Sequence, residues 1–344
     1  MNKKKSILFR ISGGRSKNKE FGLGHIYRAI NLAEYFKKFT VYFLVEDYGG
    51  ALQVLTKKDK KNIHVLNPEI SLDEDIKITT KLVKDKKIDL LIVDKHDKIT
   101  KSYVSKMKKI LKTVVISDIN KINYNADLII NGFIGFPNSI IKNKFKTKCL
   151  LGPKYQILPK NYEKNNEKFK NPQQILITFG GYDNQKIIES FCKEIIPFLE
   201  SLKIKIILGA ATKRSKELSQ LDSTFNNLSI VNSIPNLKKD IKNTKFGFCG
   251  GGITTYEFAI LQVPFAIICQ YEHQIKTAQV WNKKEIALNL GYKNKLLEKN
   301  LRKIFVKISK NEIVLNNNSN FKIDGFGSKR IAEYLSKNIL KSND

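Results

Sequence analysis

The feature that most constrains this chain is a short apolar run feeding a glycine-rich turn that ends in a histidine. Ser6-Ile7-Leu8-Phe9 suits a buried first strand, and after Arg10-Ile11-Ser12-Gly13-Gly14 comes Phe21-Gly22-Leu23-Gly24-His25-Ile26-Tyr27-Arg28. Ile26, Ala29, Ile30, Ala33 and the stretch Phe36–Phe39 then recur at helical spacing, which predicts a helix starting near His25. Glycine lets a backbone approach a ligand closely and take positive φ, and a helix N-terminus aims N–H groups at anions. At that N-terminus the helix dipole disfavours an imidazolium and leaves a neutral ring able to accept a proton. His25 is therefore a candidate general base. A histidine that merely closes the turn fits the same local pattern.

The rhythm of this opening continues along the chain. Apolar runs predict strands at 6–11, 40–45, 62–66, 88–94, 112–117, 126–131 and 148–151, with helices at 25–38, 49–58, 73–86 and 100–111 between them. Leu90-Leu91-Ile92-Val93-Asp94 is the clearest central strand, apolar on both faces and ending in an acid. Alternation of this kind predicts βαβ units around a parallel sheet. The segment 152–172, with Pro153, Pro159 and Pro172, interrupts it and reads as a connection. The pattern then restarts, with strands expected at 174–179, 203–208, 228–231, 245–249 and 264–269. Helices are expected at 185–199, 213–221, 236–243, 253–262, 273–287 and 295–309, and Ser328 is placed to cap a last one. The expected architecture is α/β, with two Rossmann-like domains facing across a cleft: residues 1–155, residues 170–325 and a terminal helix at 326–344.

Composition narrows the function classes. With 344 residues, of which 42% are hydrophobic, the chain can build two cores, and no apolar run is long enough to cross a membrane. Met1–Lys5 leads straight into a strand without the apolar stretch of a signal peptide, so a cytoplasmic protein is expected. The formal charge of +30 invites a nucleic-acid reading, but only six of the 62 basic residues are arginines and the lysines are dispersed. Nucleic-acid sites favour clustered arginine with aromatics, so no nucleic-acid partner and no stable membrane insertion is expected. The four cysteines lie far apart, which predicts reduced, buried thiols and neither a metal nor a disulfide framework.

Several other stretches carry chemistry. Phe248-Cys249-Gly250-Gly251-Gly252-Ile253-Thr254-Thr255-Tyr256-Glu257 places three glycines between a strand and a helix. Gly251, Thr254 and Thr255 could cradle phosphate through N–H and hydroxyl donors, with Glu257 accepting from two ribose hydroxyls. A tight structural turn is the equal alternative. Gly180-Gly181-Tyr182-Asp183 is a shorter version of the same turn. His273 and Gln274, after the strand Phe265–Cys269, could orient sugar groups or simply start a helix. Asp94-Lys95-His96-Asp97 brings two acids past a central strand, yet too few oxygen ligands follow to make a metal site.

Taken in order, these motifs resemble the GT-B superfamily, and more closely the UDP-sugar hydrolases of pseudaminic-acid biosynthesis and the related spore-coat polysaccharide proteins. The carrying residues are Leu8-Phe9-Arg10, Gly22–Arg28, Leu91–Asp94, Phe179–Asp183, Gly251–Glu257, His273-Gln274 and the closing Asp324-Gly325-Phe326-Gly327. The glycine run is shared with the wider superfamily, including the peptidoglycan N-acetylglucosaminyltransferase. The resemblance implies that His25 is the base and that Gly251–Glu257 holds UDP. It further implies that Arg10, Gly22, Gly24, Asp94, His96, Gly180, Gly181, His273 and Gln274 line the substrate. The implied reaction is water attack at the anomeric carbon of a UDP-activated amino or deoxy sugar, with inversion and without a metal or other cofactor. A monomer is the favoured state. A glycosyltransferase using the same donor, or a sugar-nucleotide-binding protein, remains open. The chain departs from the family pattern at Ile11 and Ser12, at Lys95-His96, at Pro159 and at His273.

Overall fold

The computed structural model describes residues 4–15, 20–57, 62–95, 100–118, 122–136, 143–163, 172–181, 187–209, 212, 214–234, 236–292, 295–313, 315 and 323–340. The chain divides into two compact units, Met1–Lys160 with Gly325–Asp344, and Asn161–Asp324.

In the first unit β1 (Ser6–Arg15) and β2 (Glu20–Gly22) lead into α1 (Gly24–Ala33), followed by β3 (Thr40–Asp47), α2 (Ala51–Thr56) and β4 (Ile63–Leu66). Then come α3 (Leu72–Lys86), β5 (Leu90–Asp94), α4 (Thr100–Met107), β6 (Lys112–Ile116), β7 (Leu128–Asn131) and β8 (Lys148–Leu151). The parallel order is β4-β3-β1-β5-β6-β7-β8, with β2 pairing antiparallel to the end of β1. Helices cover both faces, so these strands are apolar on both sides, as a buried parallel sheet requires. Ile7, Phe9, Ile11, Ile92, Val114 and Ile130 face α1, whereas Leu8, Leu91, Val93, Val115 and Ile129 face Tyr103 and Val104 of α4. The period of two along each strand decides which face a polar residue meets.

Local signals set the helix limits. Ser71 caps α3 by accepting from the Glu74 amide, acids fill its first turn, Lys84 and Lys86 lie in its last, and Lys87 ends it at φ 51°. β1 runs four residues past the expected Ile11 because Ser12 and Gly13 pair with Glu46 and Asp47 of β3, and Gly14 and Arg15 with β2. The helix expected over 25–38 stops at Ala33.

The second unit holds β9 (Gln174–Thr178), α5 (Ile187–Ile195), β10 (Lys203–Ile207), α6 (Lys216–Thr224), β11 (Leu228–Val231) and α7 (Lys238–Lys242). It continues with β12 (Thr244–Cys249), α8 (Thr254–Ile260), β13 (Phe265–Cys269), α9 (Glu272–Lys283), β14 (Ala287–Tyr292) and α10 (Lys295–Ser309). Its sheet runs β11-β10-β9-β12-β13-β14, all parallel. One face packs on α5 and α10 through Phe191, Phe248 and Phe305. The other face packs Phe258 and Trp281 around Phe265.

Two expectations change. The helix predicted to reach 287 ends at Lys283, and the chain returns as the edge strand β14. Its alternating Leu288 and Leu290 continue the apolar spacing of α9, so the pattern does not mark the break. The last helix, α11 (Gly327–Asn338), is not capped by Ser328. The Ser328 hydroxyl instead donates to the Leu158 carbonyl at 3.1 Å. Ile331, Ala332 and Leu335 pack on the core of the first unit, so this helix completes that unit. All four cysteines are buried and reduced.

Candidate active site

His25 occupies the first turn of α1, whose buried face carries Ile26, Ala29 and Ile30. Asp94 ends β5, next to β1, with Ile11 paired to it. This register puts the Asp94 side chain on the α1 face, where His25 Nδ1 lies 2.7 Å from Asp94 Oδ1. Arg28, three residues after His25 and so on the same helix face, grips the same carboxylate from Nε at 3.0 Å and from its NH2 nitrogen at 2.6 Å. Arg28 also pairs with Asp118, just beyond β6, its NH2 nitrogen lying 3.2 Å from Asp118 Oδ2.

Hydrogen counting assigns the tautomer. The Arg28 NH2 group has two hydrogens, one directed to Asp94 and one to Asp118. Its 2.8 Å approach to His25 Nδ1 therefore needs no acceptor there. Asp94 is an ionised acceptor, so Nδ1 carries the proton and donates to it, and Nε2 carries the lone pair. Burial would raise the Asp94 carboxyl, but Arg28 and His25 outweigh that cost and hold it below its ordinary range. Burial would likewise lower Arg28, and Asp118 with Asp94 keep it firmly charged. With Asp94 held by His25 and Arg28, its carboxylate orients the imidazole and can stabilise it once protonated.

Arg10 is placed differently. It stands one residue before Ile11 and therefore projects from the opposite sheet face, fully enclosed. Its Nε donates to Asp75 at 3.0 Å, its NH1 nitrogen to the Ile11 carbonyl at 2.7 Å, and its NH2 nitrogen to Glu46 at 2.7 Å and Asp75 at 2.8 Å. Lys95 Nζ joins the same two acids at 3.3 and 3.2 Å. Two cations and two carboxylates thus balance inside the unit, with Tyr48 donating to Glu46 at 2.6 Å. The expectation that Arg10 contacts substrate is corrected to a structural role, because its guanidinium is enclosed among these partners. Lys95 supplies the second positive charge of that network. His96 lies outside the described residues.

The glycines divide by what they touch. A Cβ on Gly14, which has φ +105°, would meet the Gly49 carbonyl at 2.2 Å, so this position is a packing requirement. Gly22, at φ +64°, faces open space, and Gly24 is exposed at the start of α1. In the second unit a Cβ on Gly251 would reach Gln274 Cβ at 2.7 Å, whereas Gly252 and Gly180 face nothing within 4 Å. Gly180 and Gly181 follow β9, beside β12 and its glycine run. Tyr182 and Asp183 lie outside the described residues.

The remaining second-unit residues separate into packing and open positions. Thr255 is buried, its hydroxyl donating to the Gly252 carbonyl at 2.8 Å and accepting from Trp281 Nε1 at 3.1 Å. Gln274 is buried, its side-chain oxygen accepting from the Gln270 amide at 2.8 Å. Thr255 and Gln274, both expected at the substrate, thus also brace the loop. His273 is exposed in the first turn of α9 and stacks on Tyr271 with centroids 5.3 Å apart. Thr254 opens α8 and Glu257 sits one turn in, 8% exposed. Burial pushes the Glu257 carboxyl up to about 7, while hydrogen bonding from the side of Tyr162 and Thr254 opposes the rise.

Sequence reasoning brought Asp94 and His25 forward separately and left out Arg28 and Asp118 as site residues. The spacing from His25 to Arg28 was the available signal for the first. Asp118 repeats the position of Asp94, an acid at the carboxyl end of the neighbouring strand.

No protein-family model matches the chain. It is 26% identical over 272 residues to an uncharacterised protein of Methanocaldococcus jannaschii, covering 74% of this chain and 54% of that protein, about half its length. It is 25% identical over 286 residues to the spore coat polysaccharide biosynthesis protein SpsG of Bacillus subtilis, covering 79% of this chain and 80% of SpsG. Among solved structures, the MnaA–UDP co-structure from S. aureus superposes with TM-score 0.65 at 11% identity, covering 99% of this chain and 98% of that one. Rhamnosyltransferases and UDP-N-acetylglucosamine 2-epimerases share the same two-domain α/β architecture. The fold is GT-B.

Proposed function

We propose that the chain is a hydrolase that releases UDP from a UDP-activated amino or deoxy sugar, in the synthesis of a surface polysaccharide or nonulosonic acid. The observation that carries this reading is the His25–Asp94–Arg28 arrangement. A ring donating Nδ1–H to an ionised, doubly held carboxylate presents Nε2 as a proton acceptor. In the proposed step Nε2 takes a proton from water as its oxygen bonds to the anomeric carbon. The bond from that carbon to the diphosphate oxygen breaks with inversion, its electron pair leaving with UDP. Asp94 stabilises the imidazolium that results. UDP is a good leaving group, so no second carboxylate is needed to protonate it.

The second unit is assigned the nucleotide. Gly252 and Gly180 offer backbone that a phosphate can approach, and Glu257 is placed to accept from ribose hydroxyls. The similarity to SpsG and the UDP in the MnaA co-structure support a sugar-nucleotide ligand. A cytoplasmic location and a monomeric state go with this reading.

The test is UDP release from a panel of UDP-sugars without any acceptor, in the presence of excess chelator. The proposal expects catalytic turnover there, with the inverted anomer formed first by NMR. Release only on adding an acceptor alcohol would make the chain a glycosyltransferase, with His25 activating that alcohol. Binding without turnover in either case would make it a sugar-nucleotide-binding protein.

A further inference from the structure

The guanidinium of Arg28 stands between two carboxylates. A guanidinium offers two forks, Nε with one terminal nitrogen and the two terminal nitrogens together. Asp94, at the end of β5, takes the first fork, from Nε at 3.0 Å and from the NH2 nitrogen at 2.6 Å. Asp118, beyond the neighbouring strand β6, takes the second, from the NH1 nitrogen and from the NH2 nitrogen at 3.2 Å. The NH2 nitrogen is common to both forks, so each acid receives one of its two hydrogens. A third group lies within reach of that nitrogen, His25 Nδ1 at 2.8 Å. Among the described residues these three are its hydrogen-bond neighbours. The Asp118 side chain is 39% exposed whereas that of Asp94 is fully enclosed, so Asp118 grips Arg28 from the solvent side.

We propose that Asp118 is a positioning residue for the His25 base: by accepting one hydrogen of the Arg28 NH2 group, it keeps that hydrogen off Nδ1 and leaves the imidazole lone pair on Nε2. This rests on the reading of His25 as the group that deprotonates water. Without Asp118 the released hydrogen has Nδ1 as its remaining neighbour, since Asp94 already receives the other one. Accepting it requires a lone pair on Nδ1, which moves the ring proton to Nε2 and leaves no acceptor there. The count of charges points the same way. With both acids as carboxylates, Arg28, Asp94 and Asp118 sum to one negative charge, so proton uptake by His25 brings the cluster to neutrality. With Asp118 lost, the same uptake creates a net positive charge on two buried side chains, which is unfavourable. Asp94 therefore receives the imidazole N–H, and Asp118 keeps Arg28 from competing for that nitrogen.

The test is a two-bond proton–nitrogen correlation spectrum of the imidazoles in the nitrogen-15-labelled full chain. It is recorded at about pH 8, where a histidine of ordinary pKa is neutral, for wild type, Asp118→Ala and Asp118→Glu. The chain has four histidines, and the signal missing from His25→Asn identifies that of His25. Wild type should give the pattern of a ring protonated on Nδ1. Asp118→Ala should shift it toward the pattern of a ring protonated on Nε2. Its UDP release from a UDP-sugar without acceptor should fall about 10²-fold, the lower end of losing a general base. Melting temperature and UDP affinity should stay close to wild type, which a merely structural role would not allow. Asp118→Glu, which keeps a carboxylate, should restore both the wild-type pattern and the rate. An Nδ1-protonated ring in Asp118→Ala would overturn the role of Asp118 whatever the rate. An Nε2-protonated ring in wild type would overturn the tautomer itself, and the reading of His25 as base with it. A shifted tautomer with an unchanged rate would overturn that reading of His25 alone and leave Asp118 in control of the ring. The spectra decide the role of Asp118 even where no UDP-sugar is turned over. Should Asp118→Ala not fold, Asp118→Asn, which keeps the volume and loses one acceptor oxygen, reads the same shift.

Discussion

The two oxygens of Asp94 decide what His25 can do. One receives the imidazole Nδ1–H and both receive Arg28, so the ring's tautomer is set by a buried carboxylate that Arg28 helps keep ionised. Asp94→Asn would present an amide in place of that acceptor and favour the tautomer with Nδ1 unprotonated. Turnover is expected to fall roughly 10²–10⁴-fold, the scale of lost general-base catalysis, with UDP affinity unchanged by calorimetry. Across the sheet, the Arg10 network answers to stability and not to chemistry. Lys95→Met would leave Arg10 facing two carboxylates, and breaking a buried ion pair of this kind costs about 3–5 kcal/mol. Adding Glu46→Gln restores neutrality and should recover part of that loss in denaturant unfolding. The single substitution destabilising no more than the double would contradict the charge-balance account.

At the scale of elements, the strand-to-helix turns explain both what was legible and what was not. The apolar runs of β1 and β5 and the helical spacing of α1 mark their elements, and the glycine turn between β1 and α1 places His25 from sequence alone. What the pattern does not carry is the reason for each glycine. Gly251 and Gly252 are neighbours of identical type, yet one packs on Gln274 and the other faces open space. Gly251→Ala should therefore lower the melting temperature, while Gly252→Ala should leave it within error and weaken UDP binding instead. Equal loss of stability in both would contradict the division. Arg10 was misread for a related reason. Its sheet face depends on a register of one residue, and the acids that enclose it come from β3 and α3, distant in sequence. Strand β14 was missed because its leucines continue the spacing of the helix before it.

For the whole molecule, the two units carry opposite dependences on pH. Glu46, in the first, is held near 2 because Arg10 and Lys95 outweigh its burial. A depressed acid contributes stability that is present above its ordinary value of 4.5 and is lost as pH falls toward 2. Glu257, in the second, is raised to about 7 from 4.5, so its favourable contribution is complete below 4.5 and is lost as pH rises through 7. Glu257→Gln should accordingly be more stable than wild type above pH 8, by roughly 3 kcal/mol at most. The difference should vanish below pH 4.5, and unfolding curves across that range check the sign. The two parallel-sheet α/β units were readable from the repeated strand–turn–helix rhythm, because a parallel sheet with helices on both faces writes that rhythm into its sequence; the GT-B assignment came from the resemblance of the motifs. The partners of His25 were only half readable, since Asp94 and Asp118 meet Arg28 only when β5 and β6 lie side by side.

The central claim is that His25 takes the proton from the attacking water. Its most direct test is the single-turnover rate of UDP release from a UDP-sugar by His25→Asn, measured beside wild type with no acceptor present. Asparagine keeps the turn polar but accepts no proton at neutral pH. The account predicts a rate lower by roughly 10²–10⁴-fold with UDP affinity and thermal stability close to wild type. A near-wild-type rate in the bound complex, with the loss confined to affinity or stability, would contradict it and make His25 a structural residue of the turn.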